Sequence, residues 1–257
     1  MSRSYLVFDI ETIPDTSLGA KYYNLKDLSE EDIAKLMFFK QRQERQTEFL
    51  PFVFHKIVAI SVLIANGEEI KVVSLGKDIH DERGMIQQFF DGISHHKPTL
   101  VSWNGKGFDM PVIYLRAMHH KIQASYYWQG DQSRDFQFNN YVNRYHERHI
   151  DVMDVLAGFQ NQGRASLDHV SVLLGFPGKI GIDGSQVWKK YSEGAYQEIR
   201  DYCDTDVIST YLAMIHFQHF KGLIKTDELK KYELSLEQYL SNSKKTHMES
   251  YLDHWKK

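Results

Sequence analysis

The pattern of hydrophobic and polar positions predicts short strands separated by amphipathic helices. Apolar runs rich in β-branched and aromatic residues predict buried strands over residues 4–9, 57–65, 69–75 and 99–103. An Asn-Gly pair, Asn66 and Gly67, separates the second run from the third and indicates a tight antiparallel hairpin. Pro14 and Asp15 close the segment that begins with the first strand.

Helical spacing of apolar residues accounts for most of the remaining chain. Ser29, followed by three acidic residues, is typical of a helix start, and we interpret the charged helix that runs from it toward Pro51 as an insertion. Further helices are predicted over residues 85–93, 110–119, 195–220 and 228–240, and after the capping residues Asp151 and Ser166. A glycine-rich loop is predicted over residues 175–184.

Two segments have no clear period. Residues 123–149 are polar and aromatic, and only a short strand near Tyr126 is suggested there, while the end from Ser241 onward is expected to fray. The order of elements indicates an α/β fold, a central mixed β-sheet flanked by α-helices. We expect a single domain over residues 1–257, with its core over about 5–220 and a C-terminal helical extension over about 221–257.

Composition and charge narrow the classes of function. The chain has 257 residues, 42% hydrophobic and 25% charged, which is enough for a packed core. Its longest nearly apolar run, residues 57–65, is far shorter than the ~20 residues that cross a bilayer, so no membrane contact is expected. The start has no signal-peptide pattern and the single cysteine suits a reducing compartment, so a cytoplasmic protein is expected. A net charge of −3 means that any polyanion must be held locally.

The first set of residues with chemical potential is Asp9 and Glu11. Carboxylates two positions apart on a strand point to the same face, and acids that share a buried face persist when a cation holds them. The alternative is that the strand ends here and both acids are solvated. The pair alone does not decide between a metal site and a solvated strand end.

The second set lies where a strand gives way to a helix, in the segment WNGKGFD over residues 103–109. Asp109 is a candidate metal ligand or merely the helix N-cap. The glycines of the turn would let the backbone approach a phosphate closely. No nucleotide-binding P-loop pattern is present in this segment.

The third set lies in the predicted long helix. Tyr202 and Asp206 are four residues apart and therefore share one helical face. Asp201 and Asp204 are expected on other faces, where solvated acids are the ordinary case. Alone, the tyrosine and aspartate fit a hydrogen bond in the core as well as a catalytic pair.

Taken in order, the segments FDIET, WNGKGFD followed by MPVI, and YCDTD resemble the three motifs of the DEDDy 3′–5′ exonucleases. The segment LDHVSVLLGFPGKIGIDGSQVW also resembles a bacterial stand-alone group similar to the proofreading exonuclease domain of family-B DNA polymerases. The resemblance runs from about residue 5 to residue 220 and implies a ribonuclease H-like fold. It also implies that Asp9, Glu11 and Asp206 hold one Mg²⁺ or Mn²⁺ ion, that Asp9 bridges to a second ion, and that Asp109 holds this second ion through water.

The resemblance assigns a role to Tyr202, and what such a site has to hold suggests roles for the residues around it. Tyr202 would orient the attacking water, where a sister subgroup uses a histidine. Phe108 and Trp103 are candidates for stacking on terminal bases, with core packing expected for at least one of them. Asn104 would contact the substrate backbone or only form the turn. Lys179 would contact a phosphate, or its loop would be purely structural.

These observations favour a 3′–5′ exonuclease that releases nucleoside 5′-monophosphates, most simply from single-stranded DNA, in repair or trimming. No polymerase-like segment is recognised, so we do not expect proofreading within the same chain. Three alternatives remain open: a 3′–5′ exoribonuclease, a catalytically silent nucleic-acid-binding module, and an endonuclease of the same broad fold. All four acids are present, which argues against the silent module.

Overall fold

The computed structural model describes residues 4–131 and 133–256, which form one mixed β-sheet with helices on both faces. The strands are Ser4–Pro14 (β1), His55–Asn66 (β2), Glu69–Ser74 (β3), Thr99–Ser102 (β4) and His149–Asp151 (β5). Their order across the sheet is β3-β2-β1-β4-β5. The predicted α/β fold with a mixed sheet is confirmed.

The sheet combines an antiparallel half with a parallel half. β1 and β3 pair antiparallel to β2, and the hairpin predicted at Asn66 joins β2 to β3. β4 pairs parallel to β1, and β5 parallel to β4, so three strands end at the same edge of the sheet. Ligand sites in sheets of this type lie at that edge.

The helices begin close to the positions that the capping residues predict. They are Thr16–Tyr22 (α1), Glu30–Arg45 (α2), Glu82–His96 (α3), Asp109–His119 (α4), Ser125–Gln129 (α5), Arg134–Phe138 (α6), Val152–Leu156 (α7), Leu167–Leu173 (α8), Val187–Ser192 (α9), Tyr196–Phe220 (α10), Thr226–Asn242 (α11) and Thr246–Trp255 (α12). Short 3₁₀ turns occur at Phe52–Phe54, Asn161–Gly163 and Gly184–Gln186. Ser29, Asp151 and Ser166 each accept a backbone N–H of the helix that follows, as predicted.

Alternate residues of β1 serve two separate cores, because successive strand side chains point to opposite faces. Val7 packs with residues of α10, α11 and α12 on one face. Leu6, Phe8 and Ile10 pack with residues of α3 and α4 on the other. The positions of Asp9 and Glu11 therefore belong to the face that α10 covers.

Three predictions about secondary structure are wrong. No strand forms near Tyr126, which lies in the short helix α5. Aromatic side chains pack against one another there, and the ring of Tyr127 stacks on that of Tyr141 with 5.4 Å between their centroids. The predicted first strand is too short, because β2 continues to pair with β1 as far as Pro14 opposite His55. The end beyond Ser241 does not fray. It forms α12, whose Met248, Tyr251 and Leu252 are buried in the core.

No helix within residues 4–131 and 133–256 is long and apolar enough to cross a membrane.

Candidate active site

Asp9 and Glu11 lie within β1 rather than at its end. Both belong to the face toward α10, with Asp9 half-buried and Glu11 only 7% exposed. A bulge follows them: Glu11 pairs with Ala59, whereas Thr12 pairs with Ile57. Bulges redirect side chains and are common beside active sites, so this irregularity turns the strand immediately after its second acid.

Asp109 is the first residue of α4, and its side chain is 3% exposed. Its Oδ1 accepts a hydrogen bond of 3.2 Å from the backbone N of Ile10, which lies between the two acids of β1. It is not an N-cap, since Phe108 occupies that position and makes no side-chain cap bond. The long-range contact brings the second motif against the first.

α10 brings the third motif to the same place. Tyr202 and Asp206 share one face of this helix, and Cys203 between them donates from Sγ to the Asp9 carbonyl oxygen at 3.4 Å and to Asp9 Oδ2 at 3.6 Å. Possible metal-ligating atoms of Asp9, Glu11 and Cys203 all lie within 4.8 Å of one another. The sequence-predicted acids are thus drawn together by one strand and two helices.

Burial and mutual repulsion strongly disfavour ionisation of these acids in the metal-free protein. Burial, and then the charges of Asp109, Asp206 and Glu11, raise the pKa of Asp9 well above its ordinary value. Burial and the charges of Asp206 and Asp109 do the same for the pKa of Glu11. Burial is also the main cause that raises the pKa of Asp109 and the pKa of Asp206, each to about 7. A hydrogen bond with Tyr202 opposes the increase at Asp206.

A set of buried carboxylates with few compensating cations fits a divalent metal ion. Like charges this close are costly unless a cation neutralises them. Carboxylate oxygens are the ligands that Mg²⁺ and Mn²⁺ prefer. The thiol of Cys203 is a poor match for those hard ions, and burial raises its pKa well above the ordinary value, so it acts as a hydrogen-bond donor to Asp9.

The turn over residues 103–109 is held by Asp151, the last residue of β5. Asp151 accepts from the backbone N of Asn104 at its Oδ1 and from that of Lys106 at its Oδ2, both at 2.9 Å. A Cβ at Gly107 would lie 2.4 Å from Asn104 Oδ1, so a larger residue here would have to displace the Asn104 side chain. Asn104 takes a left-handed backbone, with φ of 64°. Among the described residues, its buried Oδ1 has no hydrogen-bond partner.

The predicted substrate-binding residues separate into two groups. Trp103 packs against the hydrophobic core under α10. Phe108 lines a cavity of about 530 Å³ that also includes Glu11. Lys179 is exposed, and its charge partly offsets the burial that raises the pKa of Glu11 and of Asp206. Phe108 and Lys179 therefore border the acid cluster, whereas Trp103 belongs to the core.

The prediction of a solvated Asp204 is wrong. This residue is 1% exposed, and its Oδ1 accepts hydrogen bonds from Ser61 at 2.7 Å and Ser74 at 2.8 Å. Its Oδ2 lies 3.2 Å from Lys245 Nζ and 3.2 Å from His247 Nε2. Asp204 thus joins α10 to β2, β3 and the C-terminal segment, contacts that a helical period cannot reveal.

Sequence reasoning missed two features that shape the site, Cys203 and the second role of Asp151. Cys203 lies one residue after Tyr202 in a motif, and nothing in its spacing indicates contact with Asp9. The sequence predicts Asp151 only as a cap, and it is one, since its Oδ1 also accepts from the backbone N of Asp154. Its contact with the 103–109 turn depends on the pairing of β5 with β4, which the sequence did not predict.

A family described as predicted 3′–5′ exonucleases related to the exonuclease domain of PolB matches residues 47–255. The matched range includes Asp109, Tyr202 and Asp206 and begins after Asp9 and Glu11.

Individual relatives are large DNA polymerases. The chain is 27% identical over 150 residues to the catalytic polypeptide of DNA polymerase epsilon from Emericella nidulans and, equally, to that from Aspergillus fumigatus. Each alignment covers 54% of this chain and 6% of the relative, so the chain corresponds to a small part of them. The family B DNA polymerase of the archaeon Pyrobaculum calidifontis is structurally similar, with a TM-score of 0.52 and 18% identity, over 98% of this chain and 27% of the polymerase. At that identity the similarity concerns the fold.

Proposed function

Because the chain belongs to the family of predicted 3′–5′ exonucleases related to the exonuclease domain of PolB, we propose that it is a metal-dependent exonuclease of single-stranded DNA that releases nucleoside 5′-monophosphates. The observation that carries this proposal is the convergence of Asp9, Glu11, Asp109 and Asp206 from β1, α4 and α10 into one buried cluster. Burial among like charges gives this cluster a strong affinity for divalent cations.

The four carboxylates would hold two Mg²⁺ or Mn²⁺ ions, one through Asp9, Glu11 and Asp206, and the other through Asp9 and, by way of water, Asp109. When bound, such a pair supplies a hydroxide for attack on the scissile phosphate and stabilises the leaving 3′ oxygen. Asp109 is already held by the backbone N of Ile10, and Asp9 by the thiol of Cys203, so the ligands need little rearrangement.

Tyr202 orients the attacking water. Its side chain is 8% exposed and interacts with Asp206. Burial and the negative charges of Asp206, Glu11 and Asp9 raise the pKa of Tyr202 far above its ordinary value, so the hydroxyl stays protonated throughout the neutral range. A protonated phenol can both donate to a carboxylate and accept from water, which suits it to positioning rather than to proton abstraction.

The substrate is the unpaired 3′ end of a DNA strand. Phe108 offers a ring at the cavity beside Glu11, and base stacking on aromatic side chains stabilises single strands without selecting sequence. Lys179 supplies a local positive charge for a phosphate, which the net charge of −3 does not provide. DNA is favoured over RNA because the similar polymerases are DNA polymerases.

The test is digestion of a 5′-labelled single-stranded DNA and an RNA of the same sequence, with Mg²⁺ or Mn²⁺, alongside EDTA and Asp9→Asn controls. The proposal predicts a ladder that shortens from the 3′ end, with mononucleotides as the released product, and no reaction in either control. Faster digestion of the RNA would replace DNA by RNA as the substrate. Internal cuts in a 3′-blocked strand would indicate an endonuclease instead. Strand binding by a folded wild-type protein without cleavage would indicate a silent binding module.

A further inference from the structure

A second cavity, of about 380 Å³, opens beside the 103–109 turn. Lys106 and Gly107 of the turn line it, whereas the next residue, Phe108, lines the cavity that includes Glu11. Within the described part of the chain, the charged side chains that line this second cavity are Lys106, Arg144, Arg164 and Asp154. Positive charge is therefore concentrated here, in a protein whose net charge is −3.

The carboxylates near the second cavity are engaged by other groups. Asp154 accepts from Arg144 Nε at its Oδ2, at 2.7 Å, and from Arg144 Nη2 at its Oδ1, at 2.5 Å. Arg164 Nη2 lies 3.8 Å from Asp154 Oδ1, which is too far for a hydrogen bond. Asp151 accepts from three backbone N–H groups. Arg164 and Lys106 therefore supply the positive charge that a bound anion would meet.

Lys106 has donor capacity beyond its present contacts. Its Nζ donates to the backbone carbonyl oxygens of Asn143, at 3.2 Å, and Arg144, at 3.1 Å. An ammonium group has three N–H donors, so one is left for a ligand in the cavity. Burial lowers the pKa of Lys106 to about 8, although the charges of Asp151 and Asp154 oppose this, so the group is still mainly charged at pH 7. An anion beside it would stabilise this partly buried charge.

His149 places an unpaired nitrogen at the same cavity. The residue lines the cavity and is 1% exposed. Its Nε2 lies 2.8 Å from Ser102 Oγ, whereas its buried Nδ1 has no hydrogen-bond partner among the described residues. Burial, and then the charge of Lys106, lower the pKa of His149 well below its ordinary value, so the ring is neutral and carries one proton. With that proton on Nδ1, Ser102 donates to Nε2 and the ring can donate to an acceptor in the cavity.

A phosphate group matches these donors better than a carboxylate does. Lys106, Arg164 and His149 come from three separate segments of the chain, and a phosphate offers a higher charge and more acceptor oxygens than a carboxylate. The depth of His149 restricts the ligand further. A phosphodiester carries a nucleoside on each side and cannot extend to such a buried ring, whereas a terminal phosphate can.

We propose that the second cavity binds a phosphate group with at most one substituent, as in a nucleoside 5′-monophosphate or inorganic phosphate. Lys106 and Arg164 neutralise its charge, and His149 Nδ1 donates to one of its oxygens. The inference goes beyond the proposed exonuclease function, because the cavity needs neither the metal ions nor cleavage of a strand. The 103–109 turn then separates two binding sites, with Phe108 at one and Lys106 at the other.

The test measures binding by calorimetry at pH 7 in EDTA, so that no divalent ion can hold a phosphate at the acid cluster. The probes are inorganic phosphate, thymidine 5′-monophosphate, thymidine, and the dinucleotide TpT, whose only phosphate is a phosphodiester. We expect thymidine 5′-monophosphate to bind at least about 10-fold more tightly than TpT and thymidine. Tighter binding of the mononucleotide than of inorganic phosphate assigns the site to a nucleotide, and equal affinities assign it to free phosphate.

Arg164→Gln and Lys106→Met should each weaken binding of the phosphate compounds by about 10- to 100-fold, the effect of losing one charge-assisted contact. Arg83→Gln, at an exposed position of α3, is the matched control for Arg164→Gln and should keep the wild-type affinity. Nitrogen NMR gives a second readout. The ring nitrogens of His149 should shift when the phosphate binds, and those of the exposed His254 should not.

No detectable binding of either phosphate compound, TpT binding as tight as that of the mononucleotide, or equal affinities of Arg164→Gln and the wild type would each overturn the inference. So would an unchanged His149 signal when the phosphate is bound. If Lys106→Met does not fold, Arg164→Gln and the His149 signal decide alone. Failure of the proposed exonuclease function would leave this binding unchanged, because none of these measurements depends on turnover.

Discussion

The acids of the candidate active site are unusual because each lies close enough to other acids for their charges to oppose its ionisation. Asp109 is 3% exposed and Glu11 is 7% exposed, and each raises the pKa of Asp9 through its charge, in addition to burial. By contrast, Arg116 pairs with Asp15 and Glu82 at 2.6 Å in the same protein. The fold can therefore compensate buried carboxylates with a buried cationic side chain, whereas at the candidate site the exposed Lys179 offsets the effect of burial only in part.

Asp9→Asn should abolish turnover while leaving the metal-free protein at least as stable as the wild type. The substitution removes a ligand proposed for both ions. The loss of activity should therefore exceed the roughly 10- to 100-fold loss that follows when a residue hydrogen-bonded to a metal ligand is removed. It also removes a carboxyl group whose ionisation is opposed by burial and by the neighbouring acids. Exonuclease rates and melting in EDTA check both parts. A folded Asp9→Asn protein with undiminished activity would contradict the assignment of the site.

Tyr202→Phe should lower kcat by about 10- to 100-fold, because the variant loses only the hydroxyl that interacts with Asp206 and orients water. Mn²⁺ affinity, measured by calorimetry, should stay near the wild-type value. Tyr232→Phe is a suitable control, since that half-buried tyrosine belongs to α11 rather than to α10. Equal rates for Tyr202→Phe and the wild type would remove Tyr202 from the mechanism.

For individual residues, the sequence motifs predicted which acids lie together, but not the contacts that hold each acid in place. The spacing of Tyr202 and Asp206 correctly predicts a shared helical face. The same helical period placed Asp204 in solvent, whereas it is buried against Ser61, Ser74 and the C-terminal segment. A period describes one helix, and the environment of Asp204 is made by three other elements.

Among the elements, α12 is tied to α10 by an ion-pair cluster at the start of α12. His247 Nδ1 lies 3.0 Å from Asp201 and its Nε2 lies 3.2 Å from Asp204, both of which belong to α10. Burial alone would lower the pKa of His247, but the hydrogen bonds and charges of these two aspartates raise it to about 9. The charged imidazole therefore links the last helix to α10.

This link predicts a pH-dependent stability. A histidine whose pKa is raised in the folded state stabilises fully below its ordinary value of 6.5, and the contribution is lost as pH rises through about 9. His247→Gln should cost about 1–2 kcal/mol in the free energy of unfolding at pH 6 and little at pH 10. Urea denaturation across this range measures it.

The control for that prediction is His254→Gln. His254 is an exposed residue of the same helix, and its Nδ1 contacts the Ser250 carbonyl oxygen at 2.7 Å within that helix. The His254→Gln substitution should leave the pH dependence of the free energy of unfolding unchanged. If His247→Gln and the wild type lose stability in parallel between pH 6 and pH 10, the ion-pair cluster contributes nothing.

The elements that sequence predicted well are those with strong local signals. The hairpin at Asn66, the helix after Ser29 and the long helix α10 all form within a few residues of the expected bounds. The short strand β5 and the helices α5 and α12 were missed. β5 has three residues, and such a segment becomes a strand only because β4 offers a parallel edge to it.

Considered as a whole molecule, the chain is proposed to be a single cooperative domain, with α11 and α12 as part of it. Leu236 and Leu240 of α11 and Met248 of α12 are fully buried in the core that also includes Val7 of β1. The C-terminal helices therefore pack on the same face of the sheet as Val7.

Leu240→Ala should lower the free energy of unfolding of the entire protein by about 2–5 kcal/mol, the usual cost of emptying a buried leucine site. Leu234→Ala on the same helix is the control, because Leu234 is 55% exposed and should cost far less. Tryptophan fluorescence and circular dichroism should report coincident transitions for both variants. Separate transitions in which only the helical signal shifts would show that the C-terminal helices unfold independently.

Four carboxylates from three separate elements are proposed to form one site for two divalent ions. Anomalous X-ray scattering from crystals soaked with Mn²⁺ and thymidine 5′-monophosphate tests it most directly. We predict two manganese peaks among Asp9, Glu11, Asp109 and Asp206, about 3.5–4 Å apart, with the phosphate of the nucleotide beside both. Manganese peaks located elsewhere, or none among these four side chains at saturating Mn²⁺, would contradict the account.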